Sequence, residues 1–215
     1  MASKRWNDFP DKTKLYICDM EDARYVEDKL DFWHKFYGFD MSCVKKLTIM
    51  EPDTLVCDPY QIISDCNCIL SVDIYTVKKE DLDFNTTFQL RFLRNDHCHA
   101  LVSYFTIDLS KSRNLIQFTT GPRATYTHWK QTVFYLDTQM VVRRSAVLKG
   151  TISVQRNKKK IHVTSTLKLG HCSKEDMITL NMTVSTVFDD GSSPPLRTPR
   201  LKKKCLKKMY LPTYL

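Results

Sequence analysis

Two hydrophobic periods divide the chain. After Ser71 the period is two: Phe88, Leu90 and Phe92, then Leu101, Ser103, Phe105, Ile107 and Leu109, then Val133 and Tyr135, Ile152 and Val154, and finally Ile161, Val163, Ser165, Leu167 and Leu169 share alternate positions that are mostly apolar. A repeat of two places such residues on one face of a β-strand. Polar turns at 111–114 and 157–160 separate the runs. The fold class this predicts is mainly β, an antiparallel barrel or sandwich. A short strand also opens after Phe9-Pro10-Asp11, with Leu15 and Ile17 on one side. Met177 to Val187 offers one more, with Ile178, Leu180, Met182 and Val184 alternating.

Between Asp22 and Tyr37 the period changes. Val26, Leu30, Trp33 and Tyr37 fall at i, i+4, i+7 and i+11, and Tyr25, Phe32 and Phe36 widen the stripe. This predicts an amphipathic helix. Its face carries more aromatic area than one helix on a small barrel needs, so it serves either its own sheet or an interface, where aromatic residues are enriched. From Leu55 the chain reads as turns and short strands, with Asp58-Pro59 as a connecting turn before a short helix or strand at Tyr60–Ile63.

Composition narrows the class. The 215 residues, 42% of them hydrophobic, suffice for one domain or one domain plus a tail. The formal net charge is +9, but seven basic residues lie between Arg197 and Lys208 with no acid among them. The excess is therefore local, and a surface-wide nucleic-acid field is not implied. That run, following Asp189-Asp190-Gly191-Ser192-Ser193-Pro194-Pro195, reads as a solvated end, an import signal or a phosphate contact. No apolar segment approaches the roughly 20 residues that span a bilayer, and the N-terminus lacks the apolar core of a signal peptide. Nucleus, cytoplasm or both are the expected compartments, where the eight cysteines are thiols.

Metal chemistry is not expected. Cys66-Asn67-Cys68 has the wrong spacing for a zinc knuckle. His97 and His99 share a strand face and would need a third ligand that the sequence does not offer, so they read as solvated or hydrogen-bonded histidines. The five glycines, at 38, 121, 150, 170 and 191, are too dispersed for a nucleotide-binding turn.

The densest chemistry lies in Tyr126-Thr127-His128-Trp129-Lys130-Gln131-Thr132-Val133-Phe134-Tyr135. A polar and aromatic cluster, reached through Gly121-Pro122, runs straight into an alternating strand, so it sits at a strand mouth either as a recognition loop or as ordinary packing. Thr-His-Trp-Lys-Gln-Thr-Val-Phe closely resembles the signature loop of the protein arginine N-methyltransferases. Phe9-Pro10-Asp11, Leu15-Tyr16, Glu21-Asp22, Tyr37-Gly38-Phe39-Asp40-Met41-Ser42-Cys43, Val72–Lys78, Glu80-Asp81-Leu82, Arg94-Asn95-Asp96 and His99–Val102 match in order. The similarity covers about residues 9 to 169 and is nearest to the type I enzymes, which make asymmetric dimethylarginine.

The resemblance implies a β-barrel at 10–171 with a helical dimerisation arm at about 21–51, and the residue pattern on either side adds a loose N-terminus at 1–9, an extra strand within 172–188 and a disordered basic tail at 189–215. The resemblance also implies that Trp129 helps to wall the slot for the target arginine and that His128, in a supporting role, pairs with an acid of the donor domain. Trp33, Phe36, Tyr37, Phe39 and Met41 would make the dimer contact. The donor-binding Rossmann-like domain and the paired catalytic glutamates are not recognisable, so no cofactor is expected on this chain alone. S-adenosyl-L-methionine enters only if a donor domain is supplied. Implied partners are a full-length subunit or a second copy, with Arg-Gly-rich proteins as substrates. The expected role is an inactive partner or regulator; the alternatives are a fragment of an active methyltransferase and a nuclear adaptor for Arg-rich peptides. The chain departs from the family at Arg143-Arg144-Ser145-Ala146-Val147, where a glycine and acids are usual, and after Gly170.

Overall fold

Among the described residues strand pairing is antiparallel throughout and makes two sheets. In the computed structural model, residues 10–49, 52–110, 114, 116–126, 128–156, 162–171 and 179–187 are described. One sheet runs β2 (Asp53–Leu55), β7 (Gln131–Val142), β5 (Asp96–Leu109), β1 (Lys12–Met20), β3 (Asn67–Asp73), with β6 (Ile116–Thr119) on the far end of β5. The other runs β10 (Thr179–Val187), β9 (His162–His171), β8 (Val147–Arg156), β4 (Phe84–Arg91). Asp65 N–H donates to the Arg91 carbonyl and Leu93 N–H to that of Ile63, at 3.0 and 2.8 Å. These bonds stitch the sheets along one side, so the sandwich is closed there like a barrel.

The first sheet is buried on both faces. Ile17, Leu101, Phe134 and Leu136 meet Phe88, Leu90, Phe92, Leu148 and Ile152 of the second sheet in one core. On its opposite face Cys18, Met20, Ala100, Val102, Val133 and Tyr135 meet Leu30, Ile49 and Ile62 in another. Two-sided burial explains why Ile17–Met20 and Val133–Leu136 are buried without interruption. The predicted apolar face Phe105, Ile107, Leu109 is corrected accordingly. Those three are half-buried, while Thr106 and Asp108 between them are buried. Asp108 is held there by Lys14 Nζ at 3.1 Å and Gln117 Nε2 at 2.7 Å, which keep its carboxyl below the usual range despite desolvation.

The predicted amphipathic helix is also corrected. Asp22 caps a run that changes pitch: α1 (Ala23–Tyr25), a π-turn (Val26–Leu30) and a 3₁₀ turn (Asp31–Lys35), after which Phe36 is extended. Each change of pitch rotates the following residues away from the i, i+4, i+7 stripe. Leu30 therefore reaches the core, whereas Tyr37 is 86% exposed. Phe36 and Phe39 exchange backbone hydrogen bonds of 3.1 and 2.9 Å around Tyr37 and Gly38, whose φ values of 48° and 83° make a tight reversal. Gly38 suits that left-handed position because it has no Cβ. The chain returns in α2 (Ser42–Ile49), a helix that the sequence pattern does not announce, and Ile49 closes the core beneath it.

Two positions test this packing. A Cβ on Gly150 would lie 2.2 Å from Phe88 Cζ, its partner across β4 and β8. Gly150→Ala is expected to lower stability by about 1–3 kcal/mol through overpacking, measured by thermal unfolding. Asp19 is fully buried and its Oδ2 has no partner, while the Cys98 thiol reaches Oδ1 at 3.6 Å. Burial pushes its carboxyl up to about 8, against the smaller pull of that thiol. The folded chain thus keeps a proton that the unfolded chain releases near pH 4, so stability falls as pH rises from about 4 to 8, by at most about 1.4 kcal/mol per pH unit. Urea titrations at pH 5 and pH 8 should show Asp19→Asn flattening this slope and stabilising the chain most at the higher pH.

Candidate functional site

β7 begins at a buried glutamine that organises the loop before it. Gln131 Oε1 accepts from the Cys57 N–H at 2.9 Å, and its Nε2 donates to the Thr120 carbonyl at 2.6 Å. Both ends of the excursion from Gly121 to Lys130 are therefore tied to one side chain, and Ala124 N–H closes a turn on the Gly121 carbonyl at 2.9 Å. Gln131 carried no role in the sequence beyond its place in the signature string. Its importance comes from contacts 74 residues apart in the chain.

The loop presents the two residues expected to meet substrate. Trp129 is 50% exposed and rests edge-on against Phe118 at 5.2 Å, which in turn lies 6.3 Å from Phe105. His128 is exposed and leans on the indole, with ring centroids 3.7 Å apart. Beside them a cleft of about 390 Å³ is lined by Tyr126, Trp129, Pro122, Pro59 and Asp58 among others. Aromatic faces with a carboxylate suit a cationic side chain. The Asp58 carboxylate also caps the short helix Pro59–Gln61 by accepting from the Tyr60 N–H at 2.9 Å.

A second cluster anchors the arm. Asp22 Oδ1 accepts from the Tyr25 N–H at 3.2 Å and Oδ2 from the Tyr135 hydroxyl at 2.7 Å. The Tyr25 and Tyr135 rings stack at 4.0 Å and 6°, and Tyr25 donates to Asp53 Oδ2 at 2.7 Å. Burial first, then the carboxylate each one serves, pushes both phenols up. His99 completes the cluster: its Nδ1 accepts from the Asp22 N–H at 3.0 Å, so the ring carries its proton on Nε2, which faces Gln139 Oε1 at 3.0 Å. His97, on the same strand, is exposed, with the two rings 6.1 Å apart. Both His99 nitrogens thus serve the fold, and among the described residues no three candidate ligands converge.

The expected dimer-contact residues are grouped at the arm tip. Trp33, Phe36 and Tyr37 are linked by ring contacts of 5.5 and 4.6 Å, and Phe32 joins them at 5.5 Å from Trp33. Phe39 is 66% exposed across the reversal, whereas Met41 is 8% exposed and its N–H donates to the Trp33 carbonyl at 2.9 Å.

Residues 11–182 match the arginine methyltransferase oligomerization subdomain. The chain belongs to the protein arginine methyltransferase family. It is 45% identical over 149 residues to protein arginine N-methyltransferase 8-B of Danio rerio, covering 69% of this chain and 36% of that one. With protein arginine N-methyltransferase 1 of Chlamydomonas reinhardtii it shares 43% identity over 150 residues, 70% of this chain and 44% of the relative. The chain therefore spans less than half the length of these curated relatives. Among solved structures it is similar to the Trypanosoma brucei PRMT1 enzyme-prozyme heterotetrameric complex with AdoHcy, at TM-score 0.79 and 25% identity, over 82% of this chain and 56% of that one. Arabidopsis thaliana protein arginine methyltransferase 10 shares the fold, at TM-score 0.66 and 16% identity, over 82% of this chain and 60% of that one.

For an arginine methyltransferase, the described residues supply the oligomerisation subdomain and not the donor side. They contain only antiparallel pairings and no strand, Gly-rich turn and helix in succession. In this family member the loop depends on Gln131. Gln131→Ala leaves the Cys57 N–H and Thr120 carbonyl without their partner and is expected to cost about 2–3 kcal/mol. Amide exchange should quicken across 121–130 while β5 stays protected, as hydrogen-exchange mass spectrometry would show.

Proposed function

We propose that the chain is the acceptor-side and docking half of an arginine methyltransferase assembly, inactive by itself, and that it acts as a partner or regulator of a full-length subunit or pairs with a second copy. The observation that carries this reading is the arm: a group of exposed aromatic residues, Phe32, Tyr37 and Phe39, held out on a base that is itself firmly hydrogen-bonded. Contiguous exposed apolar groups on an anchored element mark an interaction surface. The partner would supply S-adenosyl-L-methionine and the carboxylates that hold the guanidinium, while Trp129 and His128 wall and orient an arginine from an Arg-Gly-rich protein. Similarity to an enzyme-prozyme complex supports a regulatory pairing. Nucleus, cytoplasm or both are the proposed locations; the basic run that motivates the nuclear one lies outside the described residues.

A second reading is favoured by the length of the relatives: the donor half is encoded alongside this sequence, and the whole is an active enzyme. An in-frame Gly-rich donor motif upstream of Met1 in the transcript would select it.

Mixing the chain with a full-length relative, labelled methyl donor and an Arg-Gly-rich peptide tests the first reading. The expected result is no transfer by the chain alone, co-elution with the relative, and at least about tenfold weaker association after Tyr37→Ala with Phe39→Ala. Robust turnover by the lone chain, or no association with either a relative or itself, would reject it.

A further inference from the structure

The β1–β3 ladder pairs Tyr16 with Cys68 and Ile17 with Asn67. The next residue on each chain segment is a cysteine, Cys18 and Cys66, just past the last paired step, and the two segments meet again in an isolated bridge between Met20 and Ile62. Residues directly across an antiparallel pair have Cα atoms about 4.5–5.5 Å apart, inside the span of about 4.4–6.8 Å that a disulfide bridges. Both cysteines are thiols here, and their surroundings are unlike. Cys18 is fully buried, with its sulfur 3.8 Å from the Val102 carbonyl oxygen, and Cys66 is exposed.

The contact between them polarises the pair. Hydrogen bonding from Cys18, joined by the Tyr104 hydroxyl and the charge of Arg123, holds the Cys66 thiol down at about 6 against desolvation. The same contact, together with burial, drives the Cys18 thiol far up. The exposed Cys66 is thus drawn toward the thiolate, while the buried Cys18 is held toward the thiol. A low-lying, reachable thiolate next to a second cysteine is the arrangement that peroxides oxidise selectively.

We propose that Cys66 and Cys18 form a peroxide-reactive dithiol that closes to a disulfide across β1 and the start of β3. The Cys66 thiolate attacks one peroxide oxygen; the S–O bond forms, the O–O bond breaks, and the departing hydroxide takes a proton from solvent and leaves as water. The Cys18 sulfur then attacks Cys66 Sγ; the S–S bond forms, the S–O bond breaks, and the hydroxide leaves with the Cys18 proton as a second water. The two sulfurs together lose two electrons and the peroxide gains them. The pair lies next to the substrate loop, since Tyr104 also packs against Gly121, where an added Cβ would stand 3.0 Å from its ring. Cys57 is the other buried thiol close to Cys18.

Cys68, exposed two residues along, is a built-in control for accessibility. The whole 215-residue chain is treated with limiting hydrogen peroxide at pH 7, alkylated and mapped by mass spectrometry. The expected product is a peptide pair joined through Cys18 and Cys66, formed at least about threefold faster than any oxidation of Cys68. Cys18→Ser should leave the Cys66 sulfur as a sulfenic acid that dimedone traps, and Cys66→Ser, at an exposed position, should abolish the link while preserving the circular dichroism spectrum. Oxidation of Cys66 and Cys68 at equal rates, or a link from Cys66 to Cys57 or Cys68 in place of Cys18, would overturn the proposal.

Discussion

A sheet that is apolar on both faces must be covered twice, and this requirement shapes the whole molecule. The second sheet covers one face through Phe88, Leu90, Phe92, Leu148 and Ile152. The other face would be left in water if the arm were only a projecting lever for a partner. Instead Leu30 and Ile49, from the two limbs of the arm, close over Met20, Ala100, Val102 and Val133. Each such side chain contributes about 1.5–3 kcal/mol when fully buried, so the arm's base is part of the fold's own stability. At its tip Phe32, Tyr37 and Phe39 stay exposed, which leaves them available for intermolecular use.

Polar groups inside this double core follow opposite logics. At the arm base every participant has a partner: Asp22 accepts from Tyr25 and Tyr135, and its N–H is taken by His99. A network of that kind fixes geometry, because losing any member strands another in a low-dielectric site. Asp19 lies on the opposite face of the same strand region and has little more than the weak Cys98 thiol contact for its carboxyl group. Burying a charge there would cost several kcal/mol, so the group takes up a proton. Two aspartates three positions apart, in sequence almost interchangeable, are thus a rigidifying anchor and a pH-dependent liability.

Local periodicity carried the strand content and the loop because both are local facts. Alternation at Phe88, Leu90 and Phe92 and the string through His128-Trp129 depend on neighbours in the chain. What the pattern missed depends on distant partners. Phe105 looks like a core residue by period, but it supports Phe118 and through it Trp129, while Asp108 beside it is retained by Lys14 and Gln117. The helical stripe from Val26 to Tyr37 assumed one pitch, and the π and 3₁₀ turns broke that assumption. Gln131 and His99 reveal themselves only when the segments around Cys57 and Asp22 are folded against them. The loop's family signature was readable, then, but its mechanical support was not.

The loop and the arm share one face of one strand. Gln131, Val133 and Tyr135 alternate along β7 on the arm side, with Gln131 holding the loop and Tyr135 holding the arm about 13 Å away by the rise of a strand. Both are buried and hydrogen-bonded, and β7 between them pairs with β5 in unbroken register from Val133 to Tyr135. Coupling between two sites requires an element with two arrangements that each site biases. A doubly covered strand with its polar ends satisfied is the reverse of such an element. On the proposed assembly, docking at the arm tip would therefore leave the Trp129 cleft in its existing shape and act by adding the missing wall opposite it, so that the rigid strand sets where that wall must stand.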